Sequence, residues 1–266
     1  MIVLNEIEWA KERLVDKQLG RFPYETLCRV AKLYIEEGHS KASARNMLEQ
    51  FLLQCEPGAS TVKWSGTLDN AVNRAIKFRK FDIDSITITD TEMNVIEKLN
   101  GVQLKRLAFT LLCLAKYHIA ANGQTDGWVN TKDSEIMRMA NINTSIRRQS
   151  LMFHELNDLG FVNFSKKIDN TNVQVVFMSA GNSAIRVSDF RNLGYQYMMH
   201  TGHKEFFQCE NCGMVVKRRG VQSQEMPQKT GRHQKYCSDC AIEVNVCNSI
   251  NTAMQRRKTV HKTKNT

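Results

Sequence analysis

Two Cys-x-x-Cys pairs near the end of the sequence constrain this chain more than any other feature. Cys209 and Cys212 form the first pair, Cys237 and Cys240 form the second, and 24 residues separate the two pairs. In a chain that begins without a secretion signal, paired cysteines are typical of metal ligands rather than of disulfides. Two such pairs surround one ion with four thiolates and leave no open coordination position, so the sequence predicts one structural zinc ion.

The segment around these cysteines contains too few apolar residues to fold unaided. Zinc binding, worth roughly 10–16 kcal/mol in small zinc modules, would therefore stabilise it. Gly213 directly follows the first pair and suits the tight turn that such a pair requires. Because four cysteines already complete the coordination shell, we expect His203, His233 and Cys247 to be bystanders. An iron–sulfur or redox role is the alternative interpretation.

The positive charge is distributed unevenly along the chain. The formal net charge is +10, yet residues 1–100 carry −1, residues 101–202 carry +4 and residues 203–266 carry +7. A gradient of this kind indicates a polyanionic partner for the second half of the chain. A basic segment that only improves solubility is the alternative.

Composition excludes several classes of protein. The 266 residues are 42% apolar and include only 3 Pro and 14 Gly, which argues against disorder as the main state. No stretch approaches 18 uninterrupted apolar residues, and the sequence opens without the basic region of a signal peptide. We therefore expect a cytoplasmic protein that does not associate with a membrane.

Apolar periodicity predicts a mainly α fold with small β-hairpins. Residues 1–84 show four helical stripes with short loops, which predicts a helical N-terminal unit. The following organisation is expected for the rest of the chain: a mixed domain over 85–180, a connecting helix within 181–202, a zinc module over 203–258 and a basic tail over 259–266.

The mixed segment resembles a winged helix-turn-helix domain over roughly residues 101–178. A long apolar helix is followed by a short strand at Trp128, two helices around the turn at Asn141, and a basic hairpin. Thr144 is expected to cap the second helix of the pair. The side chains expected to face the core from that helix are Ile146, Met152, Phe153, Leu156 and Leu159.

The resemblance implies that the second helix of the pair enters the major groove of double-stranded DNA. Arginine is suited to guanine edges and glutamine to adenine edges. The helix residues expected to contact DNA are Thr144, Ser145, Arg147, Arg148 and Gln149. The hairpin residues expected to contact phosphates are Lys166, Lys167 and Asn172. A solvent-exposed helix face without a ligand is the alternative.

The cysteine-rich segment resembles a treble-clef zinc finger. Its pattern of Phe-x-Cys-x-x-Cys-Gly, Lys-Tyr-Cys-x-x-Cys-Ala and a basic helix is similar to zinc fingers of uncharacterised phage and mobile-element proteins. A closed four-cysteine site orients neighbouring groups but performs no chemistry. The basic residues of this segment that are expected to contact nucleic acid are Lys217, Arg218, Arg219, Arg256 and Arg257.

Enzyme motifs are missing from the sequence. Four cysteines leave no exchangeable water for a zinc hydrolase or deaminase, and no phosphate-binding glycine loop occurs. The 24 residues between the pairs are too few for an HNH nuclease unit. The sequence therefore predicts a non-catalytic DNA-binding regulator of transcription or replication. The alternative is a protein-interaction module or inhibitor that docks on a host machine through the winged helix and the zinc finger. A protein partner could also bind residues 1–84.

Overall fold

The computed structural model describes residues 2–77, 83–123, 125–166, 172–218, 234–242 and 244–246, together with Ser249. The chain divides into two compact units, the first ending at Ile86 and the second beginning at Thr87. Within the described residues the fold is mainly helical with small antiparallel sheets, as the sequence predicts.

Four helices build the first unit. They are α1 (Glu6–Asp16), α2 (Pro23–Glu36), α3 (Lys41–Cys55) and α4 (Thr61–Lys77). Helix α2 packs against each of the other three and is therefore the centre of the unit. The buried carboxylate of Glu6 pairs with Lys32, with 2.8 Å between Oε2 and Nζ, so the charge inside this unit is compensated. Helix α4 begins at Thr61, and the hydroxyl of the preceding Ser60 accepts from the Lys63 amide over 3.5 Å.

The second unit alternates helices and short strands. Its elements are β1 (Ile86–Thr89), α5 (Asp90–Glu97), α6 (Val102–Asn122), β2 (Trp128–Val129), α7 (Asp133–Met139), α8 (Ile146–Asp158), β3 (Val162–Phe164), β4 (Val173–Val175), β5 (Ser183–Val187), α9 (Leu193–His200), β6 (Phe206–Gln208) and β7 (Val215–Lys217). Beyond β7, residues 238–242 and 244–246 are helical.

Helix α6 is the centre of the second unit. Every residue from Leu107 to Ala115 is buried, so the helix is enclosed around its circumference over two turns. It packs against α5, α7, α8, α9, β2 and β4. A helix that is apolar all round requires such enclosure, because no face can be left in water without cost. This explains why its apolar residues do not form a single stripe.

A three-stranded antiparallel sheet follows α8, with the strand order β2-β4-β3. Val162 pairs with Val175 and Phe164 pairs with Val173, so β3 and β4 form the predicted hairpin. Strand β2 lies along the other edge of β4, where Val129 pairs with Val173. The sheet therefore fixes the direction in which the chain leaves the C-terminal end of α8.

Two of the side chains predicted to face the core from α8 are exposed. Met152, Phe153 and Leu156 are buried, but Ile146 is 85% exposed and Leu159 is 54% exposed. These two positions are at the first turn and just beyond the last turn of the helix, where none of the described elements covers them. The prediction for Ile146 and Leu159 is therefore wrong.

Two further details differ from the sequence-based expectation. Ser145, not Thr144, is the cap of α8, and its side chain accepts a hydrogen bond from the Arg148 amide. Strand β5 was not predicted; it pairs with β1 in a two-stranded sheet. The following helix begins only at Leu193, because Asn192 before it has a left-handed backbone with φ 53°.

Among the described helices, none has both the length and the apolarity needed to cross a bilayer.

Candidate metal centre and nucleic-acid interface

The four paired cysteines converge on one point in the second unit. The Sγ atoms of Cys209, Cys212, Cys237 and Cys240 all lie within 4.8 Å of one another. The Sγ atoms of Cys212 and Cys237 are 3.9 Å apart. Sulfurs at the corners of a tetrahedron with metal bonds of about 2.3 Å are about 3.8 Å apart, so the observed spacing fits a four-coordinate ion.

The first cysteine pair is shaped by the hairpin of β6 and β7. The Cys209 amide donates to the carbonyl of Met214, and the Gly213 amide donates back to the carbonyl of Cys209, both over 2.9 Å. Gly213 closes this turn with a φ of 71°, a left-handed conformation that glycine adopts without strain. The turn thus brings both thiols of the first pair to the same side of the backbone.

The second pair lies at the start of a helix. Cys237 precedes the helical residues 238–242, and Cys240 is in their first turn. The two pairs are joined by backbone hydrogen bonds: the Glu210 amide donates to the Lys235 carbonyl over 3.0 Å, and the Cys237 amide donates to the Cys209 sulfur over 3.3 Å. The convergence therefore results from main-chain geometry as well as from side-chain rotamers.

Backbone donors and neighbouring thiols act in opposite directions on the cysteines. Burial opposes ionisation of Cys209, but amide hydrogen bonds, first from Cys212 and Cys237, outweigh it and lower the pKa of this thiol. The pKa of Cys212 is raised by burial and by the adjacent thiols. The pKa of Cys240 is also raised, since burial and the other thiols outweigh a hydrogen bond from Asn211. A bound cation reverses this mutual opposition between like charges.

These observations establish a site that can hold one metal ion. The donor atoms are four sulfurs, three of the four residues are buried, and no described histidine or carboxylate belongs to the cluster. Four protein ligands saturate a tetrahedral ion, so the site has no position for a substrate. His203 lies outside the cluster, as predicted; His233 and Cys247 lie outside the described residues.

The first turns of α8 expose a row of side chains. Ser145, Ile146, Arg147 and Arg148 are exposed, whereas Gln149 is half-buried and donates from Nε2 to the Thr144 carbonyl over 2.8 Å. The same bond holds the half-buried Thr144 against the helix. The two arginines are therefore accessible to a ligand, and Gln149 already has a partner within the protein.

Of the two hairpin lysines predicted to contact phosphates, one is among the described residues. Lys166 is exposed at the end of β3, and the Ser165 amide donates to the Asn172 carbonyl over 3.1 Å, which continues the pairing beyond the strands. Asn172 itself is half-buried. Lys167 lies outside the described residues.

The basic residues of the cysteine module differ in their accessibility. Lys217 is exposed at the end of β7. Arg218 is half-buried: its guanidinium lies 4.7 Å from the centre of the Phe207 ring and donates to the carbonyls of Lys204 and Gln234. Arg218 thus serves the architecture of the module. Arg219, Arg256 and Arg257 lie outside the described residues.

Sequence reasoning missed a set of polar residues beside this module. Arg191, Asn192 and Asn141 form hydrogen bonds that run from the cysteine hairpin to the turn between α7 and α8. Left-handed backbone at a non-glycine residue favours asparagine, and both asparagines have it, with φ of 55° and 53°. The pattern Asn-Ile-Asn indicates a turn, but no local signal identifies which distant residue an asparagine side chain contacts.

Comparisons of the chain with protein-family models, with curated proteins and with solved structures returned no match.

Proposed function

We propose that this chain is a zinc-containing protein that binds double-stranded DNA without catalysing a reaction. In this proposal the segment from α6 to β4 is a winged helix-turn-helix domain, and the cysteine module is a treble-clef zinc finger. The observation that carries the proposal is the exposed, cationic first turn of α8 in the same unit as a saturated metal site. A role as a regulator of transcription or replication in a phage or mobile element follows from the stated resemblance.

Zinc is the metal that best suits the four cysteines. Tetrahedral all-sulfur sites are typical of structural zinc, which is redox-inactive and adapts to the geometry that the protein supplies. The alternating hairpin and helix that carry the two pairs support a treble-clef arrangement. When bound, the ion supplies cross-linking and charge neutralisation, and the surrounding residues present cations to a ligand.

The charge pattern of α8 supports its N-terminal end as the part that contacts DNA. Arg147 and Arg148 are exposed near the start of the helix, whereas Glu155 and Asp158 lie near its end. Acidic residues near phosphates would oppose binding, so the helix would enter the groove by its first turns. Ile146, which the core leaves uncovered, lies on the same turn and offers an apolar contact to a thymine methyl group.

Flanking cations would add affinity without sequence preference. Lys166 on the hairpin and Lys217 on the cysteine module are exposed and could displace counterions from phosphates. Arg218 is engaged with Phe207 and two carbonyls, so it would add less to this set than the two exposed lysines. Lys167, Arg219, Arg256 and Arg257 extend the same basic sequence and belong to the proposed interface by charge.

The proposal predicts measurable binding of the full-length zinc protein to a fluorescent mixed-sequence duplex at roughly 50 mM salt. The Arg147→Ala, Arg148→Ala double variant should bind more weakly, because a positioned arginine contributes about 1–3 kcal/mol at a base and a phosphate contact adds about one unit of salt slope. Fluorescence anisotropy over a range of salt concentrations measures both quantities.

A charge-matched control separates the interface from net charge. Lys11→Ala combined with Lys63→Ala removes two exposed positive charges from the first unit and should leave both the affinity and its salt dependence nearly unchanged. Equal weakening in the two double variants would assign binding to charge alone. Absence of any duplex binding at low salt would overturn the proposal in favour of a protein-docking module.

A further inference from the structure

We infer that Asn141 and Asn192 are positioning residues that couple the metal site to the orientation of α8. The inference rests on the proposed function, because α8 is the helix assigned to DNA. The coupling would make the affinity for DNA depend on whether the four cysteines hold an ion. Hydrogen bonds within the second unit supply each step of the connection.

The first step joins the cysteine hairpin to the residues before α9. The Arg191 guanidinium donates to the carbonyl of Cys212 over 2.7 Å, and Asp189 fixes that guanidinium through an ion pair of 2.7 Å. The Asn192 amide donates from Nδ2 to the carbonyl of Val215 over 3.0 Å. The two accepting carbonyls flank the Gly213 turn, whose geometry the first cysteine pair shares.

The second step joins Asn192 to the turn between α7 and α8. Nδ2 of the Asn141 side chain donates to Oδ1 of Asn192 over 2.9 Å. Oδ1 of the same Asn141 side chain accepts from the backbone N–H of Tyr195 over 3.1 Å. Tyr195 is in the first turn of α9, and its amide is shared between Oδ1 of Asn141 and the Asn192 carbonyl, which it reaches over 2.9 Å. The Asn141 side chain thus joins the start of α9 to the turn that precedes α8.

The third step makes this turn rigid. Arg106 on α6 donates to the carbonyls of Ala140 and Asn141, which α7 leaves without partners at its end. Gly194 lies so close that a Cβ atom there would be 1.9 Å from the Ala140 oxygen. The α7–α8 turn is therefore clamped between α6 and α9, and a displacement of α9 cannot leave it unchanged.

The consequence is a thermodynamic linkage between metal and DNA. An ion holds the four sulfurs together, which fixes the hairpin and, through Asn192 and Asn141, the start of α8. Without an ion, no metal–sulfur bonds hold the two cysteine pairs together, so the hairpin is less constrained and the carbonyls that accept from Arg191 and Asn192 are held less firmly. Because linkage is reciprocal, bound DNA should strengthen metal binding by the same free energy that the metal adds to DNA binding.

Glycine variants test the coupling without disturbing the backbone. Asn141→Gly and Asn192→Gly remove the side chains but tolerate the left-handed φ of both positions. For the unsubstituted protein we expect the chelated form to bind the fluorescent duplex roughly 5–150-fold more weakly than the zinc form, the usual range for coupled sites. In either variant the ratio of the duplex affinities of the zinc form and the chelated form should fall towards one. Each variant should still bind one zinc ion per chain.

Hydrogen exchange of the free protein supplies a readout that does not depend on DNA. The amides of Asn141 and Ile142, which donate to Arg138 and Met137, should exchange faster after chelation of the unsubstituted protein. In Asn192→Gly they should exchange fast with and without zinc. Asn70→Ala, which removes an exposed amide from the first unit, should behave as the unsubstituted protein in both measurements.

The outcomes distinguish the inference from the proposed function. If the zinc form binds no duplex, the proposed function fails, and exchange at the turn still decides whether metal and turn are coupled. If Asn192→Gly keeps the original affinity ratio, the metal acts through direct contacts such as Lys217, and the inference is overturned. Unchanged exchange at Asn141 and Ile142 after chelation of the unsubstituted protein would overturn it as well.

Discussion

At the scale of single residues, the contact between α7 and α9 depends on the absence of a side chain. Gly194, in the first turn of α9, lies against the end of α7, and a Cβ atom there would meet both the carbonyl of Ala140 and the Arg106 guanidinium. The Ala140 carbonyl belongs to the backbone and cannot move aside as a flexible side chain can. The close contact therefore requires glycine at position 194. A glycine at this position permits the clamp on the α7–α8 turn.

We therefore expect Gly194→Ala to destabilise the second unit by about 1–3 kcal/mol, the usual cost of overpacking. Gly66→Ala is the matched control: Gly66 is inside α4 with open space around it, and alanine is about 0.5–1 kcal/mol more favourable in a helix. Hydrogen exchange as a function of denaturant, analysed for peptides of each unit, measures both changes. If Gly194→Ala lowered the free energy of unfolding of the second unit no more than a neutral surface substitution does, the α7–α8 turn would not be held tightly against α9.

The residues of the metal site could be predicted because their signal is local. Two ligands three positions apart must meet the same ion, so the spacing of Cys209 and Cys212 already contains the geometry. Arg218 shows what a local signal cannot predict. Its charge predicts a phosphate contact, but its guanidinium also packs against the Phe207 ring in the folded chain. Whether a cation faces solvent or a ring depends on residues that are distant in sequence.

At the scale of elements, the ends of helices are decided by caps rather than by apolar stripes. Thr144 and Ser145 are adjacent and both suited to capping, so sequence alone does not distinguish them. The structure assigns the cap to Ser145, whose hydroxyl accepts from the Arg148 amide over 3.4 Å. The side chain at the next position, Ile146, consequently begins the helix pointing into solvent.

Ser145→Ala should weaken α8 by about 0.5–2 kcal/mol, the cost of losing a helix cap. Thr144→Ala is the control, because the Thr144 contact found among the described residues is made by its backbone carbonyl, which accepts from Gln149, and alanine retains that carbonyl. Exchange rates of the α8 amides measure the difference. If the α8 amides lost more protection from exchange in Thr144→Ala than in Ser145→Ala, the cap would be assigned to the wrong residue.

Strands were harder to predict than helices. The hairpin of β3 and β4 has β-branched residues on both sides of a turn, and the sequence predicts it correctly. Strand β5 carries the weaker pattern Ser-Ala-Ile-Arg-Val, and its partner β1 is almost a hundred residues earlier. Long-range pairing of this kind leaves no local periodicity, so the sequence predicts only a connecting helix within residues 181–202.

At the largest scale, the first unit and the cysteine module of the second unit are stabilised by different means. The first has an apolar core to which all four helices contribute, including Leu27, Leu48, Phe51 and Leu68. The cysteine module has a small cluster in which cysteines replace apolar side chains, with Val216 and Tyr236 packed against them. Removal of a metal should therefore affect the cysteine module and the first unit very differently.

Metal removal is the experiment that tests this difference. We expect about one zinc per chain after dialysis, and Cys237→Ser should lose it, because a site with three thiolates no longer saturates the ion. Chelation should abolish protection of the β6–β7 amides and leave exchange in α1–α4 unchanged, since that core contains no ligand. Cys55→Ser, at a half-buried cysteine of the first unit, is the control and should retain the metal. Full protection of β6 and β7 after chelation would mean that the module is held by packing alone, and that the four sulfurs are not its structural centre.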